Sequence, residues 1–180
     1  MNSDGYLALT RDVQAIKIPE GLVTTLPAQS LVQIMQELGG TFTVVAPDRG
    51  GIFRIQGADA DALGREVAAP AAAEGPFEIE KVWAQLRECY DPEIPVNIVD
   101  LGLIYDVAVS EDPSGKGQRI AVKMTLTAPG CGMGPTLAGD AEQRILTVPG
   151  VASASVELTW DPQWNPSMIS AEGKIKLGIE

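Results

Sequence analysis

The stretch Val67-Ala68-Ala69-Pro70-Ala71-Ala72-Ala73-Glu74-Gly75-Pro76 most constrains what this chain can fold into. Alanine and proline alternate there with no apolar face to bury, and such low-complexity sequence reads as a linker. It divides 180 residues into a β-rich extension at 1–65, a linker at 66–76 and a larger domain at 77–180. The chain is 45% hydrophobic, enough for a real core.

Before the linker, Ala15-Ile16-Lys17-Ile18 alternates and meets a turn at Pro19-Glu20-Gly21. Leu31, Ile34, Met35 and Leu38 fit a helix by spacing, but flanking strand patterns make an extended reading equally good. Thr41–Val45 and Ile52–Ile55 read as a hairpin around Asp48-Arg49-Gly50-Gly51. No nucleophile, ligand cluster or phosphate loop is visible in this segment.

After the linker, residues 77–90 read as an amphipathic helix with Ile79, Val82, Trp83, Leu86 and Tyr90 on one face, ended by Asp91-Pro92. Cys89 lies beside that stripe and reads as a small buried hydrophobe. Leu103–Val109 and Arg119–Thr127 read as strands of an antiparallel hairpin, and Val151–Thr159 as a third strand. A helix runs from Pro135 to about Val148, and a short one falls between Ser167 and Leu177. The order α-β-β-α-β-α predicts an α+β domain with helices on one face of a small sheet.

Charge and composition remove whole classes of function. The net charge of −11 leaves nothing to neutralise phosphates, so nucleic acid is not an expected partner. With no histidine, Ser-His-Asp and Cys-His catalysis and His-ligated zinc are excluded. Two cysteines are too few for a disulfide scaffold or a four-cysteine metal site in one chain. No signal peptide and no apolar run of about 18 residues is apparent, so the expectation is a soluble cytoplasmic protein without a membrane partner. No G-x-x-x-x-G-K-[ST] phosphate loop is present.

Two stretches carry candidate chemistry. In Met124-Thr125-Leu126-Thr127-Ala128-Pro129-Gly130-Cys131-Gly132-Met133-Gly134-Pro135, an apolar strand enters a Gly/Pro turn that holds one thiol just before a helix. Unpaired amides and the positive end of the helix dipole favour a thiolate there. The Thr127 hydroxyl could reach the sulfur or the loop backbone, or serve only as a β-branched strand residue. In Asp91-Pro92-Glu93-Ile94-Pro95-Val96-Asn97-Ile98-Val99-Asp100-Leu101-Gly102, prolines stiffen a loop lined by three carboxylates. They suit acid–base work, cation binding or capping, and capping is the stronger reading for Asp91 and Asp100.

These residues raise a resemblance. Asp91-Pro92-Glu93-Ile94-Pro95-Val96, the run Asp100-Leu101-Gly102-Leu103-Ile104-Tyr105 and Met124-Thr125-Leu126-Thr127 before Cys131 resemble the small domain of the metal–sulfur cluster assembly family. The resemblance covers about residues 77–180. The Gly130-Cys131-Gly132-Met133-Gly134 turn and the tail from Trp160 to Met168 narrow it to the accessory factors of iron–sulfur maturation. It implies a small mixed three-stranded sheet with helices on one face, and a functional motif of Asp91, Pro92, Glu93, Thr127 and Cys131.

By the same resemblance, the chain is a non-enzymatic accessory factor in iron–sulfur cluster assembly, with the assembly machinery and client apoproteins as partners. One suitable thiol cannot close an iron–sulfur cluster, which usually takes four cysteines. Three options follow: a homodimer bridging a cluster, Cys131 as a transient cluster ligand, or a docking factor that never touches iron. The competing readings are an accessory subunit with a structural Cys131, and a thiol enzyme that would lack the usual base beside its nucleophile.

Overall fold

The computed structural model describes residues 5–67, 75–91, 93–130 and 132–179. Pro92, Cys131 and residues 68–74, most of the expected linker, lie outside them. The chain divides into two compact units, Met1–Ala69 and Pro70–Glu180.

The first unit is a six-stranded antiparallel sheet. Its strands are β1 (Leu7–Ala8), β2 (Val13–Ile18), β3 (Leu22–Leu26), β4 (Leu31–Leu38), β5 (Thr41–Ala46) and β6 (Gly51–Gln56), in the spatial order β1-β4-β5-β6-β2-β3. The ambiguous stretch Leu31–Leu38 is a strand. Gly39 and Gly40 both take positive φ, 57° and 67°, and turn the chain back so that β5 pairs along β4. Tertiary pairing thus decides between two periods that the local spacing allows. Val13, Ala15, Leu26, Phe42, Val44, Phe53 and Ile55 are buried in the core of this unit.

The second unit holds α1 (Ile79–Arg87), β7 (Ile104–Glu111), β8 (Gln118–Met124), α2 (Gly134–Leu146), β9 (Val151–Leu158) and α3 (Ala171–Leu177). β7 and β8 pair antiparallel, and β8 and β9 pair parallel through the α2 crossover. The sheet is therefore mixed, in the order β7-β8-β9. Ile120, Val122 and Met124 alternate with the exposed Arg119 and Lys123, and the buried set packs with Val82 and Leu86 of α1 and Leu137, Ala141 and Ile145 of α2. Both helices thus cover one face, as the alternation predicts. Full burial of one such aliphatic side chain stabilises the fold by about 2 kcal/mol.

Most element boundaries differ from the sequence reading by one to three residues, and three of the differences bear on the candidate segments. α1 ends at Arg87 rather than at residue 90, because Tyr90 forms a bridge with Asn97 and the Cys89 carbonyl accepts from Ile98 N. β8 ends at Met124, so Thr127 is not a strand residue. α2 begins at Gly134, one residue before the expected proline. Cys89 is buried, 2% exposed, as its neighbourhood predicts.

Candidate functional site

The acidic segment closes on itself after α1. Asp91 is 6% exposed, and its Oδ1 accepts from Glu93 N at 2.8 Å and Ile94 N at 3.2 Å. This is an Asx turn: a carboxylate stands in for a backbone acceptor and fixes the next residues. Glu93 and Pro95 are exposed, while Val96, Asn97 and Ile98 are buried. The loop therefore holds Glu93 outward on a rigid frame.

The thiol segment starts at the end of β8. Met124 and Leu126 are buried, Thr127 is half-buried, and Ala128, Pro129, Gly130 and Gly132 are exposed. Gly130 has φ +81°, which favours glycine. Gly134 opens α2 where a Cβ would lie 2.6 Å from Leu126 Cδ1, so a larger residue there would push the tip of that leucine aside. Met133, at the N-cap of this 13-residue helix, makes no side-chain cap hydrogen bond among the described residues.

Three main-chain hydrogen bonds in series join the two segments. Ile98 N donates to Cys89 O at 2.9 Å, Leu103 N to Ile98 O at 3.0 Å, and Thr125 N to Leu103 O at 2.8 Å. The acidic turn and the residues leading to Cys131 are thereby anchored at the same end of the sheet. The anchoring is by backbone, and Asp91 Oδ1 is engaged in its own turn.

Asp100 does something that local sequence does not disclose. Its backbone N–H bonds to Asn97 Oδ1 at 2.8 Å, so Asn97 is the turn-capping residue. The Asp100 carboxylate instead accepts from Asn97 Nδ2 at 2.8 Å, Ser170 Oγ at 3.2 Å and Lys176 Nζ at 3.2 Å. Burial pushes this carboxyl up, but the bonds from Asn97, Lys176 and Ser170 outweigh it and hold the group below the ordinary carboxylate range.

The bonds from Asp100 to Ser170 and Lys176 latch the tail, and its neighbours extend that latch. Trp164 Nε1 donates to Leu101 O at 2.8 Å and Tyr105 OH to Pro162 O at 2.7 Å. Gly102, at φ +71°, would place a Cβ 2.2 Å from Met168 O. The Asp100–Tyr105 run is thus the seat of the tail at 160–177.

Thr125 is 1% exposed and its Oγ1 has no hydrogen-bond partner among the described residues. Such an orphan is uncommon in a buried site, and a single hydroxyl in a strand pattern gives no sequence signal for it.

The fold and these segments define a small α+β domain with an acidic Asx turn and a glycine-rich segment leading to Cys131, whose flanking residues are joined by backbone bonds at a three-stranded sheet. Comparison with known proteins gives the class a name. Residues 79–158 match the family model described as iron-sulfur cluster assembly protein. The chain is 42% identical over 100 residues to the Fe-S protein maturation auxiliary factor of Porphyromonas gingivalis, covering 56% of this chain and 90% of the relative. It is 35% identical over 101 residues to the Fe-S protein maturation auxiliary factor YitW of Bacillus subtilis, covering 56% and 94%. It is 36% identical over 89 residues to the Fe-S protein maturation auxiliary factor SufT of Staphylococcus aureus, covering 49% and 96%. The chain belongs to the iron–sulfur cluster assembly protein family, and the six-stranded unit lies outside the segment that the family model matches.

Proposed function

We propose that this protein is a non-enzymatic, cytoplasmic accessory factor that helps deliver iron–sulfur clusters to client apoproteins. Cys131 is its transient ligand or contact thiol. The observation that carries this reading is the series of backbone bonds from Cys89 through Ile98 and Leu103 to Thr125, which anchors the acidic turn and the thiol segment together. Membership of the family and the names of three relatives support the pathway.

Cys131 stands three residues ahead of a helix whose N-cap residue, Met133, makes no side-chain cap bond among the described residues. Free amides and the helix dipole lower a thiol's pKa and favour the thiolate that binds iron. The cluster is cargo: one thiolate holds it only while a donor, a client or a second chain supplies the remaining ligands. Glu93, held outward by the Asp91 turn, offers a carboxylate to a partner or to the metal, and Thr127 stands beside the thiol segment as a hydroxyl donor. Residues 77–180 carry this activity, and residues 1–65 form a separate module.

The test is anaerobic mixing with a reconstituted donor scaffold, followed by visible absorbance, iron and sulfide, with Cys131→Ser as the control. Uptake that depends on Cys131 supports the carrier role. Equal uptake by the serine variant removes the thiol from it, and absence of uptake by both leaves a docking factor.

A further inference from the structure

The six-stranded sheet has unequal edges. On one side it ends in β1, two residues long, and on the other in β3, Leu22–Leu26. β3 pairs with β2 along one side only, in five unbroken register pairs, and among the described residues no strand covers its other side. Proteins guard such edges with charge, proline or a bulge, because a row of unpaired N–H and C=O groups recruits another strand. β3 reads Leu-Val-Thr-Thr-Leu and has none of these guards. Leu22 is 63% and Val23 68% exposed. Val23 lies opposite Ile16, and on the same sheet face Ile18 lies opposite Ile52, itself 42% exposed. The apolar row at the open edge is therefore Val23 and Ile16, with Arg54 next to Ile16 on β6.

We propose that β3 is the seam of a homodimer, in which two copies pair β3 antiparallel about a two-fold axis through Thr24. The occupant is a second copy because the strand is close to self-complementary. Pairing through Thr24 sets Leu22 opposite the partner's Leu26 and Val23 opposite the partner's Thr25, with faces preserved across the seam. A two-fold contact requires this kind of self-matching surface. From Gly21 to Pro27 no residue is charged, so a chain of net charge −11 meets its own copy there without a like-charge pair. This inference concerns the module outside the family match and stands independently of the cluster-delivery reading.

The test uses the full chain. Sedimentation velocity across the micromolar range should show a reversible dimer, and Val23→Lys should raise its dissociation constant by at least about tenfold with an unchanged circular dichroism spectrum. In a Cys131→Ser background, Thr24→Cys should form a disulfide-linked dimer on mild oxidation. Antiparallel partners sit about 4.5–5.5 Å apart at Cα, within disulfide reach. Asp48→Cys in the same background, exposed on the same module, should stay monomeric. A wild type that is monomeric throughout overturns the proposal and leaves the edge to a strand from a different protein. A dimer that survives Val23→Lys, or equal cross-linking of the two cysteine variants, also overturns it.

Discussion

Asp91 and Asp100 belong to one acidic, proline-bearing segment, yet they do opposite kinds of work. Asp91 folds its carboxylate onto the next amides, Glu93 N and Ile94 N, and shapes the turn that follows it. Asp100 leaves the turn-capping to Asn97 and reaches about 70 residues along the sequence to Ser170 and Lys176. The first is a short-range device that presents Glu93. The second is a long-range latch for the tail. Residue type and neighbours suggest capping for both, and only the tertiary partner separates them.

The contrast can be broken most strongly at Gly102. Gly102→Ala sets a Cβ against the Met168 carbonyl at a positive φ, and should cost about 3 kcal/mol. A lower unfolding midpoint with a red-shifted Trp164 emission would report tail displacement. An unchanged midpoint would mean that the tail is not seated on this run. Asp100→Ala removes the acceptor shared by Asn97, Ser170 and Lys176 and should cost about 2 kcal/mol in urea unfolding.

The same carboxylate sets a pH dependence. Asp100 titrates below its unfolded value, so the unfolded chain takes up its proton first as pH falls. Its contribution is full above the ordinary carboxylate pKa of about 4 and is lost as pH falls through that value towards the lowered one. Urea midpoints measured between neutral pH and pH 3 should fall more for wild type than for Asp100→Asn. Asp112, held at about 2 by hydrogen bonds from Ser114 and Ser153, titrates in both proteins and cancels in the difference. Parallel curves would remove the latch from the account.

Smaller effects sharpen the comparison. Thr125→Val deletes a buried hydroxyl that has no partner among the described residues and should stabilise the unit by about 1 kcal/mol, seen as a raised melting temperature. A loss instead would mean that this hydroxyl bonds in solution. Asp91→Asn keeps the acceptor oxygen of the Asx turn, so it should cost less than about 0.5 kcal/mol, whereas Asp91→Ala should cost about 1 kcal/mol.

These pairs also mark what sequence alone discloses. The alternation of Ile120, Val122 and Met124 against Arg119 and Lys123, and the apolar stripe of α1, place the second core because burial imposes those periods directly. The α-β-β-α-β-α order follows from the same periods and from turn chemistry. Element ends resist: α1 stops at Arg87 and β8 at Met124, where Tyr90 pairs with Asn97 seven residues on and Thr125 N bonds to Leu103 O from another strand's start. Leu31–Leu38 stays ambiguous until β5 pairs with it. Asp91 is readable as a turn former, since its partners are two and three residues away. The latch on Asp100 and the orphan hydroxyl of Thr125 are invisible, since both depend on which side chains arrive from elsewhere.

The latch has a consequence for the order in which the molecule is made. Every strand of the six-stranded sheet lies before residue 57, so that sheet can close early during synthesis. The acidic segment is translated well before its tail, and Asp100, Leu101 and Gly102 receive Trp164, Met168 and Ser170 only after those later residues leave the ribosome. A nascent chain that has emerged only to about residue 160 therefore presents its acidic segment without its final strap. A pull-down from stalled ribosome complexes would show whether the assembly machinery first meets the protein in that unfinished form.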